Sequence, residues 1–270
     1  MPIGTGDLLG KRAFPLSLRE LAKFAGGSGS AQRLMLAPLA RQDCVFWFDD
    51  FVGDTLDLNH WIVGETGTGT VFGAPATGIV GGAITGITGG TDNNAEVIYG
   101  HRVWAGDNNC VLEMRARLNV IGANAFEVGW IDTAADLTLP VVSDVDTPAF
   151  QGTLADAAVL HYDTDQTLVT MALVSEGSTA NMNATATTLS PTFVPTVDTF
   201  HRYRVGIAGD IPYALVDGGR HTTGTGVLAQ RTEGGSLVRP WLAVRTRAAA
   251  AVTTNIDYIW MFQDRAVRTA

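Results

Sequence analysis

Lysine is nearly absent from this chain: of its 270 residues only Lys11 and Lys23 are lysines, and both lie near the start. Cysteine is as scarce. Cys44 and Cys110 stand 66 residues apart, too few and too distant for a disulfide scaffold, so they are expected to be two buried thiols acting as small hydrophobes. No stretch approaches the roughly 20 apolar residues of a membrane helix. Lys11, Arg12, Arg19, Glu20 and Lys23 interrupt the leading segment, so no secretory signal is expected. Gly-x-Ser-x-Gly, His-Glu-x-x-His, Gly-x-x-x-x-Gly-Lys and Cys-x-x-Cys do not occur, which removes the sequence support for nucleophile-elbow, zinc-protease, P-loop and dithiol chemistry.

The charge that is present is unevenly distributed. Residues 1–42 hold six of the eighteen basic side chains against Asp7 and Glu20, a charge of +4, which leaves −13 on residues 43–270 of a chain at −9. A net-negative body does not suit nucleic acid, whose phosphates need a basic face. A basic tether on an acidic body instead suits docking onto a neighbour. The chain accordingly reads as two parts, an arm (1–42) and a body (43–270).

Within the arm, Pro15-Leu-Ser-Leu-Arg-Glu-Leu-Ala-Lys-Phe-Ala25 predicts one short helix. Ser17 and Glu20 have capping-box spacing, Leu16 and Leu21 the spacing of a hydrophobic staple, and Gly26-Gly27 stop it. About nine helical residues are marginal alone in water, so the apolar side needs a surface. Gly26–Ser30 is a flexible hinge by composition.

From Asp43 the period becomes two. Cys110, Leu112, Met114, Ala116 and Leu118 share one side of a strand, with Glu113, Arg115 and Arg117 on the other. The alternation returns at Phe126-Val128-Trp130, at Tyr203-Val205-Ile207 and at Ile256-Tyr258-Trp260-Phe262, which would place Trp130 and Trp260 in the core, as the phase of the first strand does for Trp47. Trp61, Trp104 and Trp241 have no clear phase. Further strands are predicted over 44–51, 78–84, 95–104, 154–162, 167–174, 211–217 and 238–246. Asp-Asn, Asp-Gly and Gly-Gly turns separate these segments, while 64–94 reads as short strands and long loops and 133–153 as another long loop. About a dozen strands with no helix after the arm give an all-β antiparallel sandwich or jelly roll.

Several of these segments together resemble the concanavalin A-like lectin/glucanase jelly roll, in the version found among tailed-phage virion proteins. They are Trp47-Phe48-Asp49-Asp50-Phe51 with Leu58-Asn59-His60-Trp61, Phe200–Val205 with Tyr213–Gly218 turning on Asp217-Gly218, and Pro240–Val244 with Ile256–Ile259. The resemblance covers about 43–265 and implies two stacked antiparallel sheets and, for the phage members, a capsid-decorating, fibre or tail role.

The glucanase branch sets paired carboxyl groups on one strand face about 5 Å apart, and no Glu-x-Asp-x-Glu pattern occurs here. Glu113 and Glu127, on neighbouring predicted strands, are the nearest candidates for such a pair. His60, His101, His161, His201 and His221 are dispersed singly. Asp163 with Asp165, or Asp144 with Asp146, offer hard oxygens that suit Ca²⁺, but the pattern is more common in turns. No catalytic residue, no metal and no cofactor is assigned, and a non-enzyme is expected. The expected role is a capsid decoration protein on the virion surface, made in the host cytoplasm. Leu8, Leu9, Phe14, Leu18, Leu21 and Phe24 would act as apolar anchors and Lys11, Arg12, Arg19 and Lys23 as cationic ones, on the major capsid protein or a sister subunit. A homo-oligomer, trimer or dimer, is expected, with host glycans as a further partner in the lectin-like alternative. A glycoside hydrolase is the least favoured alternative.

Overall fold

A computed structural model of the chain describes residues 44–52, 56–76, 78–79, 82–106, 108–132, 136–144, 149–151, 156–167, 170–176, 185–208, 211–223 and 237–264. The predicted helix and all ten anchor residues of the arm lie outside them. The chain divides between Phe46 and Trp47, and the sandwich core and its outer faces belong to the second unit.

The described residues are all β. The strands are β1 (Cys44–Asp49), β2 (Trp61–Thr66), β3 (Thr70–Pro75), β4 (Ile84–Ile87), β5 (Ala95–Gly100), β6 (Trp104–Ala105), β7 (Val111–Leu118), β8 (Asn124–Ile131), β9 (Val142–Asp144), β10 (Ala149–Phe150), β11 (Ala157–Asp163), β12 (Ala172–Glu176), β13 (Thr185–Thr188), β14 (His201–Ala208), β15 (Ile211–Val216), β16 (Arg220–Thr223), β17 (Leu237–Thr246) and β18 (Thr253–Asp264). The first sheet runs β16-β15-β14-β7-β18-β4-β3 and the second β13-β12-β11-β8-β17-β5-β2. Every registered pair is antiparallel, as in β8 with β17 from Arg239↔Ile131 to Thr246↔Asn124.

The alternation read from the sequence builds the core. Leu112, Met114, Ala116 and Leu118 of β7 meet Phe126, Val128 and Trp130 of β8, Tyr203 and Val205 of β14 and Leu242 and Val244 of β17 in one buried cluster between the sheets. Burial of side chains this size is worth about 1.5–3 kcal/mol each. Three predicted segments shift in detail: 78–84 contributes only Ile84 to a strand, 167–174 contributes Ala172 to Val174, and the loop-rich 133–153 carries the short hairpin β9–β10.

That hairpin supplies a second, smaller core. Val141, Val142, Leu137 and Phe150 pack on the outward side chains of the second sheet, Val97, Tyr99, Ile131, Ala157, Val159, Ala172, Val174, Trp241 and Ala243. A glycine at the edge of that side leaves room for the covering segment. A Cβ on Gly64 of β2 would meet the Leu137 carbonyl at 2.8 Å, so only glycine permits this approach.

Two motifs of the resemblance join in space. The Trp61 indole donates to Asp49 Oδ2 at 2.9 Å and its ring lies 5.0 Å from that of Trp47. After β15 the chain turns through Asp217, Gly218 and Gly219, with Val216 paired to Arg220, and both Asp217 and Gly218 are left-handed (φ 52° and 73°), a conformation that Asp and Gly tolerate. The Asp217 carboxylate then accepts the Arg202 amide at 2.9 Å and contacts His201 Nδ1 at 2.8 Å. Both cysteines are buried and neither forms a disulfide.

Candidate functional site

Two carboxylates dominate the outward faces of the sheets, and they are the two singled out in the sequence. Glu127 leaves the middle of β8 on the side away from the main core, since Phe126 and Val128 point inward. It is fully buried. Its Oε2 accepts the Val141 amide at 2.8 Å and the Trp241 indole N–H at 3.0 Å, and its Oε1 accepts the Val142 amide at 2.8 Å and lies 3.1 Å from His161 Nδ1. The register explains the convergence: His161 of β11 stands directly opposite Glu127, and β17 brings Trp241 opposite Gly129. A hydrogen bond between Thr66 and Thr138 hydroxyls at 2.7 Å ties the same covering segment to β2.

Beyond Glu127 the polar chain continues. His161 Nε2 lies 3.9 Å from Asp163 Oδ2 and has no hydrogen-bond partner among the described residues. Asp163 is held by two nitrogens of Arg247 and receives the Asp165 amide at 3.0 Å. The Asp163-x-Asp165 pattern therefore closes a turn and pairs an arginine. Asp146 lies outside the described residues. Among the described residues no group of three or more His, Cys, Asp and Glu side chains is placed to hold a metal.

Glu113 sits on the outward side of the other sheet. Burial opposes its charge, but the Arg204 guanidinium, with donors from Tyr258, Trp260 and Arg204, holds its carboxyl below the ordinary range. Arg204 Nη2 contacts Oε2 at 2.5 Å, and the Tyr258 hydroxyl and Trp260 indole reach Oε1 at 2.7 and 2.9 Å. The expected phase of β18 is corrected here. Its pairing with β7 slips between Ile256 and Tyr258, so Ile256, Ile259 and Met261 face the core and Trp260 is buried against Glu113 instead. A one-residue bulge reverses every later side chain.

Glu113 and Glu127 are consequently not a pair. They leave different sheets on opposite outer sides, with the main core between them, and the strand face of Glu127 continues with Gly129 and Ile131 where a second carboxyl group would stand. Sequence reasoning placed them on neighbouring strands because β7 and β8 are consecutive; the chain crosses from one sheet to the other between them. The chain of Glu127, His161, Asp163 and Arg247 was missed. A carboxylate inside the otherwise apolar Ala125–Ile131 was its one visible signal.

The tryptophans are mostly interior. Trp61, Trp104, Trp130, Trp241 and Trp260 are buried, and Trp47 is half-buried. Beside Trp47, at 5.7 Å between ring centroids, lies His60, whose side chain is 55% exposed and bonded to Asp57 at 2.8 Å.

Comparison with solved structures places this geometry among known folds. The fold is the concanavalin A-like jelly roll. A protein of unknown function from Shewanella oneidensis MR-1 superimposes with a TM-score of 0.55 at 12% identity, over 94% of this chain and 97% of that one. The carbohydrate recognition domain of Emp47p matches with a TM-score of 0.52 at 13% identity, over 88% and 99%. The catalytic domain of an endo-1,3-beta-glucanase (laminarinase) from Thermotoga petrophila RKU-1 matches with a TM-score of 0.53 at 12% identity, over 81% and 97%. No protein-family model and no curated protein matches the chain. These identities establish fold alone. They also correct one expectation: glucanases are among the proteins that share this architecture, so the expectation of a non-enzyme does not stand.

Proposed function

We propose that this chain is a structural subunit of a phage virion, a jelly-roll body fixed to the particle by residues 1–42. The observation that carries the reading is the division of the chain: +4 and the only two lysines on 42 residues, −13 on the rest. Leu8, Leu9, Phe14, Leu18, Leu21 and Phe24 supply apolar anchors at about 1.5–3 kcal/mol each when fully buried, which offsets much of the cost of ordering a tether. Lys11, Arg12, Arg19 and Lys23 meet acidic groups of a major capsid protein or sister subunit. The body faces outward at the capsid surface as part of a symmetric dimer or trimer. The test is to delete residues 1–42 and measure binding to purified particles. Loss of binding with an unchanged circular-dichroism spectrum supports the reading; unchanged affinity rejects it.

A second reading, glycan binding, is favoured by the half-buried Trp47 beside the exposed His60 and Asp57, an aromatic ring flanked by polar groups of the kind that stacks on a sugar face. Trp47→Ala on a glycan array tests it. Binding that persists in that variant rejects this patch. Turnover of a laminarin-type glucan, measured on the same preparation, bears on the hydrolytic chemistry found on this fold.

A further inference from the structure

Glu96 is a buried acid that faces a second acid. It sits on β5, 1% exposed, and its Oε2 has no hydrogen-bond partner among the described residues. Directly opposite on β2 stands Glu65, which puts the two Cβ atoms about 5 Å apart on one face of the ladder. On the other strand neighbour the opposing residue is Val244, which is apolar. The first sheet contributes a carbonyl: Glu96 Oε1, the Ile87 oxygen and the Gly89 amide nitrogen all crowd the point that a Cβ on Gly69 would occupy, so the missing side chain makes room for the carboxylate beside the carbonyl. No Arg, Lys or His side chain is bonded to either glutamate among the described residues, whereas Glu113, Asp163 and Asp217 all have such a partner.

Burying a carboxylate whose Oε2 has no hydrogen-bond partner among the described residues, with a second carboxylate in front of it, is costly. Two species can relieve that cost, a proton or a metal cation. The oxygen set, two carboxylates and one main-chain carbonyl, is the ligand chemistry of a hard divalent ion, which completes about six to eight positions with water. Glu65 is exposed, so the site has a side open to solvent through which ion and water enter. We propose that Glu65, Glu96 and the Ile87 carbonyl form a site for a hard divalent cation such as Ca²⁺. It pins β2 and β5 of one sheet to the end of β4 in the other.

The proposed site is independent of the virion reading and is tested on the full chain with Ca²⁺ itself. Thermal unfolding at pH 8.5 is compared in EDTA and in millimolar CaCl₂. The expected result is a midpoint that climbs with Ca²⁺ concentration by on the order of 5 °C, and a rise reduced at least severalfold in Glu96→Gln and in Glu65→Gln. Calorimetric titration of the unsubstituted protein with CaCl₂ at pH 8.5 should show a binding heat that Glu96→Gln loses. A midpoint indifferent to Ca²⁺ at pH 8.5, or a Ca²⁺ response that survives intact in both variants, overturns the proposal.

Discussion

At Glu127 one side chain performs the work usually shared by several. It accepts two main-chain amides and an indole N–H and contacts an imidazole in a site closed to water, so truncation leaves several buried polar groups without a partner at once. Glu127→Ala is expected to cost on the order of 3–5 kcal/mol, measured by urea denaturation. A loss below about 1 kcal/mol would mean that the covering segment is held by its apolar contacts alone. Glu96 behaves in the opposite sense. Burial, reinforced by Glu65, pushes its carboxyl up to about 8, above the 4.5 of an exposed glutamate. The folded state therefore binds the proton more tightly than the unfolded chain, so stability is full below about 4.5 and declines as pH rises toward 8. In EDTA, Glu96→Gln should flatten the stability profile between those values and be more stable than the parent chain at pH 8.5. A parallel decline in both proteins would remove Glu96 as its source.

Among the elements, β8 and β18 show what period-two reading delivers and where it stops. The alternation of β8 is legible because both neighbours pair with it without slip, and Phe126, Val128 and Trp130 fall inward as their phase demands. The phase of β18 fails at Asp257 because a bulge is a property of two strands, visible only when β7 is laid beside it. The segment over the second sheet is harder still to read. Its residues alternate poorly, and its position depends on Gly64 accepting the Leu137 carbonyl at close range. Gly64→Ala should displace that segment, with a loss of about 1–3 kcal/mol and faster amide exchange at Val141 and Val142. Unchanged exchange at those amides would show that β2 does not hold the segment in place.

For the molecule as a whole, the division of charge and the fold answer different questions. The −13 of residues 43–270 predicts a body that stays soluble without its arm. Removing residues 1–42 should leave the midpoint of thermal unfolding within a few degrees while abolishing attachment to particles. A truncated chain that aggregates or unfolds would instead make the arm part of the body's own stability. The architecture itself is shared with lectin domains and glucanases at 12–13% identity, so chemistry on it must be argued from side chains.

The all-β class, the antiparallel pairing, the Asp217-Gly218 turn and the inward residues of β7, β8 and β14 were determined by sequence alone, because each depends on alternation or turn chemistry between near neighbours in the chain. Which sheet each strand joins was decided only by the tertiary structure. That separated Glu113 from Glu127, joined Glu127 to Val141, His161 and Trp241, and set Glu65 against Glu96. All of these contacts depend on register across strands distant in sequence, and on the burial that strips water from a carboxylate and forces it to find a partner.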